Sequence, residues 1–151
     1  MAIEKGEIRG LTVLQPFASA IVYGPKNVEN RHQRLHLPAG GLWVAVHAGL
    51  RQYPANEQSI RELWPGCPPF ARMERGVILG LARLVEVRWY DVSRDVRLRD
   101  DLWALGPWCW VFDMKVPLKQ TIRYRGKQGL WRLSAEVEAD LRAFLQIEGL
   151  L

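Results

Sequence analysis

The run Leu42-Trp43-Val44-Ala45-Val46-His47-Ala48 constrains this chain more than any other stretch. A surface helix shows one apolar stripe and a half-exposed strand alternates, but a short run that is apolar almost throughout reads as a buried central strand. The segments around it are also short and β-rich. Leu11–Leu14 leads into Pro16, which fits the first turn of a helix carrying Phe17, Ala20 and Ile21 on one face. Gly24 is expected to end that helix in a left-handed cap, and Pro25 prevents it from resuming. Val28–Arg31 reads as a short strand, followed by a polar loop over 33–41.

After Ala48 comes a polar exit, Gly49-Leu50-Arg51, and then a helix over 54–64 broken by Pro65-Gly66-Cys67-Pro68-Pro69. Residues 76–89 form the longest strand candidate, with a phase slip near Ala82-Arg83 that predicts a bulge or strong bend. Asp91–Asp101 is a mixed-charge loop that reads as a solvated connection, with a mobile flap as the alternative. Trp108–Val116 and Gln120–Tyr124 read as two further strands. Ser134 caps a last helix with Val137, Leu141, Phe144 and Leu145 on its apolar face, and Gly149 stops it. About five or six short strands with few helices between them predict an α+β, mainly β fold: a strongly bent antiparallel sheet or small barrel with helices at its flanks.

The 151 residues suit one domain, and 48% hydrophobic content supplies a core. No apolar run approaches the ~20 residues of a membrane-spanning helix, and the start of the chain lacks a signal-peptide core, so a cytoplasmic monomer away from membranes is expected. Cys67 and Cys109 have no C-x-x-C spacing and read as free thiols. Neither a metal nor a cofactor is implied: phosphate-loop, dinucleotide and zinc-deaminase motifs are all missing. A formal charge of +5, with seven Trp and four Tyr, is compatible with nucleic acid, since cations meet phosphate and aromatic faces stack on bases.

The charged residues concentrate at two places. Lys26, Glu29 and Arg31 follow the first helix stop; Glu29 and Arg31 share one face of a strand, and Lys26 joins them only from a turn outside the strand's alternation. The trio reads either as a site gripping a nucleobase edge or doing acid–base work, or as a surface ion pair beside a solvated lysine. The second cluster, Tyr124-Arg125-Gly126-Lys127-Gln128-Gly129-Leu130-Trp131-Arg132, reads as a phosphate- or base-contacting turn at Arg125 and Lys127, or as a plain hairpin with Trp131 in the core. Gln15 suits either a base edge or a helix cap. His47 and Arg51 are candidate ligand contacts whose ordinary roles are a satisfied core histidine and a solvated arginine.

Leu11-Thr12-Val13-Leu14-Gln15-Pro16-Phe17-Ala18, then Gly24-x-Lys26-x-Val28-Glu29-x-Arg31, then Leu42–Ala48 resemble the ASCH domain family, named for activating signal cointegrator homology. Gly76–Gly80, Trp108–Phe112 and Gly126-x-x-Gly129-Leu130-Trp131 extend the resemblance over nearly the whole chain, in the manner of bacterial and phage members. It implies a PUA-like β-barrel and a cleft lined by the Lys26–Arg31 segment. It also implies RNA or nucleotide binding, or, as in some small members, amidohydrolase action on N4-acetylcytidine or a ribonuclease activity. The amidohydrolase pattern uses a lysine, a threonine three residues later and a separate glutamate. Lys26 and Arg31 match that pattern's lysine and arginine, Glu29 stands where the threonine would be, and Glu86 is a candidate for the separate glutamate. The expectation is a binding domain for RNA or a modified nucleobase, with Gln15, Lys26, Glu29, Arg31, His47, Arg51, Arg125 and Lys127 at its ligand and Lys26 and Glu29 as the catalytic pair should it be an enzyme.

Overall fold

The computed structural model describes residues 2–91, 98 and 100–151. Among the described residues six strands form one sheet: β1 (Ile8–Gln15), β2 (Val28–Arg31), β3 (Leu42–Gln52), β4 (Val77–Trp89), β5 (Trp108–Arg123) and β6 (Leu130–Arg132), in the order β2-β5-β4-β3-β1-β6. Three α-helices accompany them among the described residues: α1 (Phe17–Val22), α2 (Glu57–Leu63) and α3 (Ala135–Ile147). Most of the Asp91–Asp101 connection lies outside the described residues.

The central run behaves as its composition demands. Leu42, Val44, Val46 and Ala48 point into one apolar layer with Leu11, Val13, Ile21, Leu79, Leu84, Trp110 and Phe112. Trp43 and Ala45 point the other way, into a layer with Ile8, Ile78, Leu81, Trp131, Leu141 and Leu145. The sheet thus carries α1 on one face and α3 on the other, and a strand buried on both faces needs apolar residues at successive positions. Ser134 caps α3 by accepting from the Val137 amide, as the sequence predicts.

Four expectations need correction. The sheet is mixed: β1 and β3 run parallel, Ile8 opposite Trp43 through Val13 opposite Ala48, because the chain crosses over through α1 and β2 between them. β3 continues past Ala48 to Gln52, so Gly49–Arg51 belongs to the strand. The segments expected as two strands after Trp108 are one, β5, and Pro117 is accommodated where the register with β4 slips between Ile78 and Gly80. Gly24 does not adopt a left-handed cap; what its position requires is space, because a Cβ there would fall 2.7 Å from the Trp64 ring.

The expected bend is present. Register slips at Arg83/Leu84 and Leu84/Glu86 in β4, and at Val46/His47 in β3, increase local twist. The sheet is not closed: β2 and β6 are its edges. It nevertheless curls until β2, four places from β1 in the sheet order, faces it across a gap. Arg31 on β2 spans that gap, donating through Nη2 to the Thr12 carbonyl at 2.9 Å. The seam of an almost complete barrel is therefore bridged by a side chain where a backbone ladder would close it.

Candidate functional site

A cleft of about 610 Å³ opens at this seam, lined among others by Thr12, Phe17, Lys26, Glu29, Arg31, Tyr53 and Trp103. Its floor is ionic. Lys26 lies just before β2, outside the strand's alternation, and its side chain is only 3% exposed; Glu29 is 12% and Arg31 25% exposed. The Lys26 ammonium is 3.6 Å from Glu29 Oε1, and Arg31 Nη2 is 2.9 Å from Glu29 Oε2. Lys26 also donates to the Val28 carbonyl. The three charges therefore converge, with the carboxylate between the two cations.

The walls are aromatic. The Lys26 ammonium stands 5.3 Å from the centre of the Phe17 ring and 5.4 Å from that of Trp103; behind the cleft, the Arg31 guanidinium is 5.9 Å from the ring centre of Trp110, which belongs to the core and does not line the cleft. Such cation–π contacts strengthen when water is excluded. Burial lowers the Lys26 pKa below its ordinary value, and the Glu29 carboxylate opposes that shift without cancelling it. The ammonium is thus held where its charge is disfavoured, an arrangement concentrated at functional sites.

Two residues that the sequence did not single out build this cleft. Asn30, on the opposite face of β2 from Glu29, accepts from the Leu105 and Gly106 amides and donates to the Trp103 carbonyl, which fixes the Trp103–Gly106 segment as one wall. Lys115 on β5 donates to the carbonyls of Gly24 and Lys26 and so ties down the turn that delivers Lys26. The signal for Asn30 was its place inside the Glu29-Asn30-Arg31 run; Lys115, in a polar stretch of β5, gave none.

The remaining sequence candidates lie elsewhere. A second groove, of about 910 Å³, is lined by His47, Arg51, Arg125 and Lys127, together with Arg75 and Arg123, and shares Thr12 and Leu14 with the first cleft. His47 is 2% exposed. Its Nε2 is 2.7 Å from the Tyr124 carbonyl, which fixes the proton there, and its Nδ1 accepts from the Thr12 hydroxyl at 3.2 Å. Trp131 Nε1 donates in turn to the Thr12 oxygen. Burial keeps the His47 pKa below its usual value. Gln15 is a correction: it is fully buried and lines neither cleft. Its Oε1 accepts from the Ser19 amide and its Nε2 donates to the Glu74 carbonyl, so it positions the β1–α1 joint and has no free edge for a base. Glu86 is ion-paired with Arg88 on β4 and lines neither cleft.

Three solved structures of ASCH from Zymomonas mobilis superimpose on this chain. The unsubstituted protein gives a TM-score of 0.53 at 18% identity, covering 92% of this chain and 95% of its own. A serine-to-alanine variant gives 0.55 at 18%, covering 94% and 99%, and a tyrosine-to-phenylalanine variant 0.55 at 19%, covering 91% and 97%. The chain has the ASCH fold. No family model and no curated protein matches its sequence. In the terms of the ASCH fold, the segment Gly24–Arg31 is the crossover edge of a bent sheet, and the first cleft is the seam beside it. Among the described residues no helix is long and apolar enough to cross a membrane, and no group of three or more His, Cys, Asp or Glu could hold a metal ion. Cys67 and Cys109 are buried and in no disulfide.

Proposed function

We propose that this chain is a single, monomeric ASCH-type domain that binds RNA or a nucleotide, taking a base, standard or modified, in the cleft of Lys26, Glu29 and Arg31. The observation that carries this reading is the pairing of an ionic floor with aromatic walls in one hollow. Phe17, Tyr53 and Trp103 offer ring faces and edges for stacking, Glu29 accepts from amino or imino groups, and Lys26 and Arg31 donate to carbonyl oxygens. The ASCH fold supports the reading, since the family resemblance in the sequence implies the same class of ligand.

A second reading, hydrolysis of an acylated nucleoside such as N4-acetylcytidine, draws on one observation: a buried lysine of lowered pKa beside a carboxylate. Binding is favoured over it. The lysine amine is already engaged by Val28 and Glu29, and the threonine lining the cleft, Thr12, has its hydroxyl held by His47 and Trp131.

Thermal denaturation with nucleosides, N4-acetylcytidine and short oligonucleotides tests both. A ligand present at about 100 times its Kd stabilises the native state by about 2.7 kcal/mol, roughly 5–11 °C in Tm for a chain of this length. The shift is expected in the parent and lost in Lys26→Met and Arg31→Ala. No shift with any nucleoside or oligonucleotide at low salt refutes the binding reading. Release of acetate from N4-acetylcytidine, lost in Lys26→Met, would replace it with the hydrolase.

A further inference from the structure

We infer that the groove behind β1 is the phosphate track of the same site, so that the ligand is a single strand of nucleic acid several nucleotides long, with one base in the Lys26–Arg31 cleft and its neighbouring phosphates among Arg51, Arg75, Arg123, Arg125 and Lys127. This rests on the base-binding reading of the first cleft and extends it.

The charge pattern is the first support. Five cations reach the groove from separate parts of the chain: Arg51 near the end of β3, Arg75 just before β4, Arg123 at the end of β5, and Arg125 and Lys127 in the turn before β6. Among the described residues no Asp or Glu lines it. Several arginines elsewhere pair with carboxylates, Arg61 with Glu57, Arg83 with Asp113, Arg88 with Glu86 and Arg142 with Glu138, and those among the described residues that do not, Arg34 and Arg72, lie singly outside the groove. Arg51, Arg123, Arg125 and Lys127 have no carboxylate partner among the described residues. Unpaired like charges gathered in one concavity repel one another, and a row of phosphates relieves that repulsion.

Continuity is the second support. Thr12 and Leu14 belong to both hollows, so the groove begins where the cleft ends, one strand's width away. A strand crossing β1 there would place a base on one side and phosphates on the other. The base must be free of a complementary partner to enter the cleft, which selects a single strand over a duplex.

Pre-organisation is the third. The turn carrying Arg125 and Lys127 is seated on the sheet: His47 donates to the Tyr124 carbonyl, and a Cβ at Gly126 would lie 2.5 Å from His47 Nδ1. Only glycine lets the turn approach this closely, and a fixed turn spends less entropy when it is bound.

The experiment measures binding of a random-sequence RNA of about ten nucleotides, the same length as a duplex, and the four nucleoside monophosphates, each across a salt series. The parent protein is compared with Lys26→Met and with Arg125→Ala/Lys127→Ala, and melting curves show that both variants fold. For single strands the slope of log K against log salt is about −0.7 per phosphate contact, so an about fourfold rise in salt weakens binding about 130-fold for five contacts and about 18-fold for three. The expected result is a parent slope near −3.5 that falls by about 1.4 in the groove variant, with monophosphate affinity unchanged and the duplex bound more weakly than the strand. Equal affinity for strand and monophosphate, a slope indifferent to the groove substitutions, or preference for the duplex overturns the inference. If the groove variant alone is silent, the base cleft stands without its track. If Lys26→Met alone is silent, the track stands and the base cleft falls. No binding of the strand at low salt removes both.

Discussion

Replacing Lys26 by methionine should leave the fold as stable as before or more stable, while replacing Glu29 by glutamine should weaken it. The reasoning starts from the sign of the Lys26 shift. Burial lowers its pKa and the neighbouring Glu29 carboxylate only partly restores it. The folded environment therefore disfavours the ammonium relative to water, and the charge itself costs stability at neutral pH. Methionine fills similar space between Phe17 and Trp103 without that charge. It forgoes the hydrogen bond to Val28, worth about 1 kcal/mol, and the two ring contacts, while Glu29 keeps its 2.9 Å bond to Arg31. Replacements that remove a buried charge without orphaning its partner run from neutral to favourable, so Lys26→Met is expected between no change and about 2 kcal/mol more stable, up to about 8 °C in Tm. Glu29→Gln does the reverse: it strips Lys26 of its nearest carboxylate and should cost about 3 kcal/mol. The assay is urea unfolding of both variants and the double variant at neutral and alkaline pH. A lysine whose folded pKa is depressed binds fewer protons folded than unfolded, so stability rises with pH up to the ordinary lysine value of about 10.5. The advantage of Lys26→Met should therefore shrink as pH climbs. A Lys26→Met protein more than about 2 kcal/mol less stable than the parent would mean that the lysine is a structural strut, and the reasoning would fail.

Two other outcomes follow from the same geometry. His47 has a depressed pKa, so its contribution is complete above the unfolded value of about 6.5 and is lost as pH falls through the folded pKa; the parent should lose stability on acidification and His47→Gln should flatten that dependence, measured by melting across pH. Lys115→Met leaves the Gly24 and Lys26 carbonyls without their shared donor, so the fold should lose about 1–3 kcal/mol and the Gly24 and Lys26 amides, both bonded to the Ala20 carbonyl, should exchange faster with deuterium.

The sequence was most legible where one residue's neighbours along the chain decide its state. Leu42–Ala48 declared a two-sided burial, Ser134 a helix start, and the proline before Lys26 the break that lets the lysine turn inward. It was opaque where partners are remote. Nothing local shows that β1 pairs with β3 in parallel, since that register depends on a crossover. Trp103 meets Lys26 because Asn30 anchors a loop more than seventy residues away. Gln15 has the chemistry of a base reader, and only its burial between Ser19 and Glu74 shows that its amide is spent on the fold. Arg75 and Arg123 look like solvated arginines until the sheet's curl brings them beside Arg125.

The unfinished seam has a mechanical meaning. A barrel closed by a ladder of peptide hydrogen bonds resists prying at every rung, whereas here the Arg31 guanidinium reaches over to Thr12. Side chains swing far faster than strands unzip. Releasing the Arg31 bond to Thr12 takes the rotation of a side chain and breaks no rung of the backbone ladder, so the seam is the part of the sheet that separates at least cost.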